Sequence, residues 1–472
     1  MPRAFLLGLV PAALCACTGG NAASPGQPDA TTDAHGPNDA HGADAGEDAT
    51  TLDGGDEPFD APPPLDGNFG WDVTGVDAAI AHPCNLPGSI QHTAGGIVVV
   101  PGGADAGVDL GYLTVPTGFC VHYYGTVGNV RQLRFAPGGE LFVTSPTNGT
   151  TGGGFGGLSA IAVLPDDDHD GVADSVLTYL NPLPATQGIL FTGGFLYYQD
   201  STAILRVPYA VGDRKPSGAS QEVADITIYS SDTHWPKTLD IADDGTIYVG
   251  NGGDQGEACD PLHPFHGGIL ALDGTAGGKP VAKGLRNPIA VRCARGHNRC
   301  FAVELAMDGT IAPDFGREKI LPIRQGDDWG FPCCATANTP YANQTPVPDC
   351  SGIAAESESF LIGNTPFGID FEPGVWPAPW TGNAIVTLHG IAGSWTGERV
   401  VAIAMDPTTG LPVAGSDLDG SDTGGMTDFA TGWDDGKRAH GRPAPVAFST
   451  DGRLFLGNDN DGTIVWIAPL SL

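Results

Sequence analysis

Six copies of one short pattern run down this chain of 472 residues, and they constrain its architecture more than any other feature. A small or polar residue, usually Gly, opens an apolar and aromatic run at residues 139–143, 194–198, 245–249, 299–303, 382–386 and 452–456. Each predicts a strand. After a turn rich in Gly, Asp or Asn a second apolar run follows, at 159–164, 203–207, 268–272, 318–323, 400–405 and 463–467. A lone hairpin of this kind cannot bury both faces, whereas copies stacked radially can. Repeats of roughly forty to fifty residues with several strands each are the sequence form of a β-propeller. Six units, with longer insertions after the fourth and fifth, predict an all-β fold of six blades. The last run needs an outer neighbour if the ring is to close, and residues 119–124 (Phe-Cys-Val-His-Tyr-Tyr) are predicted to supply it.

The ends of the chain carry a different composition. Arg3 makes a short positive region, residues 4–14 are apolar but too few to span as a mature helix, and Leu14-Cys15-Ala16-Cys17 is like a bacterial lipobox. Residues 1–17 are therefore predicted to be a lipoprotein signal with Cys17 as the lipidated terminus. Cys15 fits less well, because bulky Leu14 stands where a small residue is expected; ordinary secretory cleavage nearby is the alternative. Residues 18–70 are Asp, Ala, Gly, Pro and Thr, and no Lys or Arg occurs between Arg3 and Arg131. So few large apolar side chains cannot offset the entropy of ordering, which predicts a disordered acidic spacer. Part of the net charge of −34 belongs to this tether. The remaining acidity argues against nucleic acid as a partner, since phosphate binding needs clustered Lys and Arg. The folded domain is assigned to 71–472, exported and held at the membrane by lipid alone, in the periplasm or at the cell surface.

The cysteines agree with export. Without Cys15 and Cys17 there remain eight, an even set in a compartment where disulfides persist. Cys293 with Cys300 is the predicted pair, because the short segment between them makes a tight loop. A zinc site of Cys259, His263 and His266 is the alternative for that region, although oxidised cysteines are not ligands. Asp166, Asp168, Asp170, Gly171 and Asp174 repeat the first part of an EF-hand loop, but Leu177 stands at the twelfth position. This predicts either a calcium-stiffened hairpin or a solvated acidic turn.

Several segments around the strands have a shared resemblance. They are His234-Trp235-Pro236-Lys237-Thr238-Leu239, Gly284-Leu285-Arg286-Asn287-Pro288, residues 326–332 (Gly-Asp-Asp-Trp-Gly-Phe-Pro), 366–371 (Pro-Phe-Gly-Ile-Asp-Phe), and Gly441-Arg442-Pro443. In order and spacing they resemble the soluble glucose/sorbosone dehydrogenase family, six-bladed quinoprotein sugar dehydrogenases. The resemblance runs from Pro116 to the C-terminus. It implies pyrroloquinoline quinone (PQQ) over the central opening and His234 as the base that takes a proton from a sugar hydroxyl, with electrons leaving to an external acceptor. It also implies Arg286 and Asn287 as the pair gripping the cofactor; a planar guanidinium suits the quinone's carboxylates and an amide suits its carbonyls. Read without the resemblance, His234 is a histidine bonded at a strand start, and Arg286-Asn287 is a turn capped by Pro288.

The departures are equally specific. Where the family has an acidic residue followed by His-Gly or Asn-Gly, this chain has Glu304-Leu305-Ala306. The acidic loop that follows, which helps hold calcium in the family, here reads Arg317-Glu318-Lys319-Ile320-Leu321. Calcium takes several oxygen ligands, and Lys319 and Leu321 supply none. In the fifth blade Gly393-Ser394-Trp395 is followed by Thr396-Gly397 in place of Asn-Arg, leaving Arg399 as the nearby cation and Arg442 as the candidate from the sixth blade. The expected activity is PQQ-dependent oxidation of an aldose or related sugar derivative. The alternative is a non-catalytic propeller that binds a glycan, peptide or envelope partner.

Overall fold

The computed structural model describes residues 82–102, 108–147, 156–226, 234, 236–253, 259, 267–274, 277–306, 317–341, 345–354, 358–360, 362–390, 397–413, 426–435 and 440–471. The signal, Cys17, the spacer, His263, His266 and Gly393-Ser394-Trp395 lie outside them. Among the described residues no helix is long and apolar enough to cross a membrane.

Each of the six repeats becomes the second and third strands of a four-stranded antiparallel blade. Blade 1 is Gln132–Phe135, Leu141–Ser145, Ala160–Leu164 and Leu177–Leu180. Blade 2 is Ile189–Thr192, Phe195–Asp200, Ala203–Pro208 and Gln221–Asp225. Blade 3 is Leu239–Ile241, Ile247–Asn251, Gly268–Leu272 and Lys279–Lys283. Blade 4 is Asn287–Ala294, Arg299–Leu305, Glu318–Pro322 and Glu358–Phe360. Blade 5 is Pro366–Phe371, Ala384–Leu388, Arg399–Ile403 and Met426–Ala430. Blade 6 opens with Pro443–Phe448, Leu454–Asn458 and Thr463–Pro469. Its outer strand is Phe119–Thr126, paired antiparallel to Thr463–Pro469 with Val121 opposite Ile467. The ring thus closes with the strand expected from the sequence. A hairpin of Ile90–Thr93 and Gly96–Val99, unforeseen in the sequence, extends this sheet to six strands.

The middle strands read as unbroken apolar runs because a neighbouring blade covers each face. Ala160–Leu164, Ala384–Leu388 and Leu454–Asn458 are buried at every position, as expected for strands sandwiched on both sides. The outer strand Gln221–Asp225 is mostly exposed. The core is accordingly a set of layers between adjacent blades. One layer packs Leu133, Leu141 and Val143 of blade 1 on Phe455, Ile464 and Trp466 of blade 6. The next packs Phe142, Ile161 and Val163 on Ile189, Leu196 and Val207 of blade 2.

The axis is held by charge. Arg134 of blade 1 donates to the carbonyls of Ile189 in blade 2 and Leu239 in blade 3, and lies 3.3 Å from Asp240. Arg292 of blade 4 lies 3.6 Å from Asp240 and grips Asp370 of blade 5 through two 2.8 Å bonds. Asp370 in turn accepts the Phe448 N–H of blade 6 at 2.8 Å. These contacts join the inner strands of all six blades.

All eight described cysteines are paired, as Cys84–Cys120, Cys259–Cys333, Cys293–Cys300 and Cys334–Cys350. Cys293 and Cys300 face each other across the first hairpin of blade 4, so the predicted pair forms. The zinc alternative is corrected: Cys259 is oxidised and offers no thiolate.

Candidate functional site

In an antiparallel blade the start of the first strand and the end of the second share one face of the disc. The predicted residues fall largely there. His234 precedes the first strand of blade 3, Arg286 and Asn287 begin blade 4, and Arg442 precedes blade 6. All four are buried, each less than a tenth exposed.

His234 is fixed by local chemistry. Its Nδ1 lies 2.7 Å from the Gly253 carbonyl, and a carbonyl only accepts, so Nδ1 carries the proton and Nε2 the lone pair. Lys237, fully buried, donates from Nζ to the His234 carbonyl at 2.9 Å. The His234 backbone approaches so closely that a Cβ at Gly252 would sit 2.2 Å from the His234 Cβ; glycine at 252 is what admits it. Gly253 also donates its N–H to the Arg286 carbonyl at 2.7 Å, so one glycine couples the histidine of blade 3 to the arginine of blade 4.

Arg286 is held at both ends. Its backbone N–H donates to Glu304 Oε1 and its guanidinium to the Ala306 carbonyl, each at 2.9 Å. Asn287 points a buried side chain whose Oδ1 has no hydrogen-bond partner among the described residues.

A second cluster, missed in the sequence, spans the seam between blades 5, 6 and 1. Asp459 lies 3.4 Å from both Arg131 and Arg442 and 2.7 Å from His389 Nε2. Burial opposes ionisation of Asp459, yet His389 and the two guanidiniums hold its carboxyl well below the usual range. His389 stacks on Phe367, with ring centroids 5.0 Å apart, and Arg131 lies over the same ring. The available signal was positional, since Arg131, His389 and Asp459 all stand at blade edges like His234 and Arg286.

Buried polar atoms without partners among the described residues recur along this face: Thr186 and Gln187 before blade 2, Thr238 before blade 3, Asn287 in blade 4, and His389 Nδ1 and Asp459 Oδ1 beside blades 5 and 6. Native interiors leave few such groups unpaired without a reason such as a missing ligand or water. Arg286, Arg442 and Asn287 are of the types that hold carboxylates and carbonyls.

Two further groups of predicted residues are engaged with local partners. Arg399 opens the third strand of blade 5 and is engaged with Asp428 on the outer strand at 2.7 Å, and with Glu398 and Asn364. Asp166, Asp168 and Asp170 follow the third strand of blade 1, on the opposite face of the disc, with oxygens within 4.8 Å of one another. Asp174 accepts the Asp167 N–H at 2.6 Å, and Gly171 donates to Asp166 at 3.2 Å. This hairpin is remote from His234 and structural in kind.

No family model and no curated protein sequence matches the chain. Solved structures do match. A Trichoderma reesei enzyme of carbohydrate-active family AA12 superposes with TM-score 0.61 at 17% identity, over 76% of this chain and 97% of the other. The PQQ domain of pyranose dehydrogenase from Coprinopsis cinerea, in its holo form, gives 0.60 at 16%, over 75% and 96%. A PQQ-bound aldose sugar dehydrogenase from Streptomyces coelicolor gives 0.50 at 17%, over 75% and 99%. The chain shares the fold of these structures.

Proposed function

We propose that this protein oxidises an aldose or related sugar derivative with PQQ, as an exported quinoprotein anchored through Cys17 and held off the membrane by residues 18–70. The observation that carries the reading is the convergence of His234, Arg286, Asn287 and Arg442 on one face, among buried polar atoms such as Asn287 Oδ1 that lack partners among the described residues. Arg286, Asn287 and Arg442 would hold the cofactor, which when bound supplies the two-electron acceptor. His234 Nε2 takes and holds the proton of the substrate hydroxyl, while its Nδ1–H bond to Gly253 keeps the tautomer fixed. Buried guanidiniums in a site of low dielectric strengthen every contact to an anionic ligand. An external acceptor completes the turnover, and calcium would stiffen the Asp166–Asp168–Asp170 hairpin.

The test is reconstitution of the purified soluble domain with PQQ and calcium, followed by the absorption of bound quinone and by dye reduction across a panel of sugars. Arg286→Ala should lose roughly 1.5 to 3 kcal/mol of quinone binding, the worth of one charge-assisted bond. Excess quinone should restore part of its activity. A wild-type domain that takes up no quinone would instead support the non-catalytic propeller, the reading favoured by Lys319 standing where an oxygen ligand is expected.

Anchoring has its own test. Cys17→Ser should move the protein from the membrane fraction to the soluble fraction. Unchanged fractionation would exclude lipidation at this residue.

A further inference from the structure

The family resemblance places calcium near the start of the third strand of blade 4, and the described residues there do not fit it. Glu304 and Lys319 are register partners on neighbouring strands, and both are buried, with side chains 0% and 3% exposed. Lys319 Nζ lies 3.4 Å from Glu304 Oε2. The other carboxylate oxygen accepts the Arg286 N–H at 2.9 Å. The nearby Ala306 carbonyl accepts from the Arg286 guanidinium. Among the described residues, Glu304 Oε1 and the Ala306 carbonyl are thus turned toward nitrogens of Arg286, and Oε2, which accepts no hydrogen bond there, has the Lys319 ammonium 3.4 Å away.

We infer that Lys319 is a built-in cation that takes the place of a bound divalent ion in blade 4 and, through Glu304, positions the backbone of Arg286 and Asn287. The local charge balance agrees. The neighbouring Glu318 accepts the Thr365 N–H, and burial pushes its carboxyl up to about 8, with Glu304 adding to the rise. A raised Glu318 carboxyl carries less negative charge beside the Glu304–Lys319 pair. A buried carboxylate deprived of its partner is costly, whereas removing both charges together is tolerated.

The experiment compares Lys319→Met, Glu304→Gln and the double variant by thermal unfolding of the soluble domain. Lys319→Met should lower Tm by roughly 5 °C or more, and adding Glu304→Gln should recover most of that loss, since the amide still accepts the Arg286 N–H. If Lys319→Met fails to fold, recovery of a folded double variant carries the same information. A double variant no more stable than the single one would overturn the inference. Calcium calorimetry on a chain carrying Asp168→Asn and Asp170→Asn, which disables the blade 1 hairpin, should detect no site. A residual calcium site in that chain, abolished by Glu304→Gln, would also overturn it. None of these measurements depends on sugar oxidation, so failure of the quinone reading and failure of this one are distinguishable.

Discussion

His234→Ala is expected to leave quinone bound while dye reduction falls by about two to four orders of magnitude, the usual contribution of a positioned general base. The structure gives reasons for separating these effects. The segment carrying His234 is anchored by Lys237, whose ammonium bonds the backbone carbonyl of residue 234 and not its side chain. That bond survives the substitution. The Arg286 carbonyl keeps its bond from the Gly253 N–H, so the neighbouring binding residues stay in register. What is lost is the imidazole and its bond to the Gly253 carbonyl. His234→Gln should behave alike, because an amide fills similar space but is no base at neutral pH. The check is a quinone titration by absorption beside steady-state dye reduction in the same preparations. Unchanged turnover in either variant, or quinone affinity falling in step with activity, would remove His234 from the role of base.

Much of the fold is legible in the sequence because its determinants are local. A strand of four to six residues with Gly at its entrance declares itself without reference to the rest of the chain, and all twelve predicted runs are strands. Cys293 and Cys300 are legible for the same reason, seven positions apart across one hairpin. Long-range partners are not. Cys259 pairs with Cys333, 74 positions on, and Arg134 reaches Leu239, 105 positions on; only closure of the ring decides who meets whom. The hairpin of Ile90–Thr93 and Gly96–Val99 escapes notice because its second strand exposes every side chain, Ile97 by 62%, so no buried face writes a pattern into it.

The site divides along the same line. His234, Arg286 and Asn287 lie in short motifs that can be matched directly. Arg399 is named for its nearness in sequence to a family cation, and its guanidinium bonds Asp428, Glu398 and Asn364. Arg131 and Asp459 lie at opposite ends of the propeller sequence and meet only because the sixth blade docks on the first.

The largest stability effect is expected from that same property of closed rings, at Asp370. This residue is 4% exposed and its side chain carries four contacts: two bonds from Arg292, one from Phe448 N–H, and one from Phe371 N–H, each at 2.8 Å. It ties blade 4 to blade 5 and blade 5 to blade 6 near the axis. Asp370→Ala leaves the Phe448 amide without its acceptor and leaves Arg292 with only Asp240, at 3.6 Å. Breaking one member of a buried ion pair costs roughly 3 to 5 kcal/mol, because the remaining charge is uncompensated. Asp370→Asn keeps the shape and one acceptor but loses the charge, so its cost should be smaller, about 1 to 3 kcal/mol. Equilibrium urea unfolding of the disulfide-intact domain measures both: the midpoint should fall in the order wild type, Asn, Ala, with the slope unchanged. A midpoint for Asp370→Ala equal to that of the wild type would mean that interblade apolar layers hold the ring unaided and that the charged belt at the axis contributes nothing to closure.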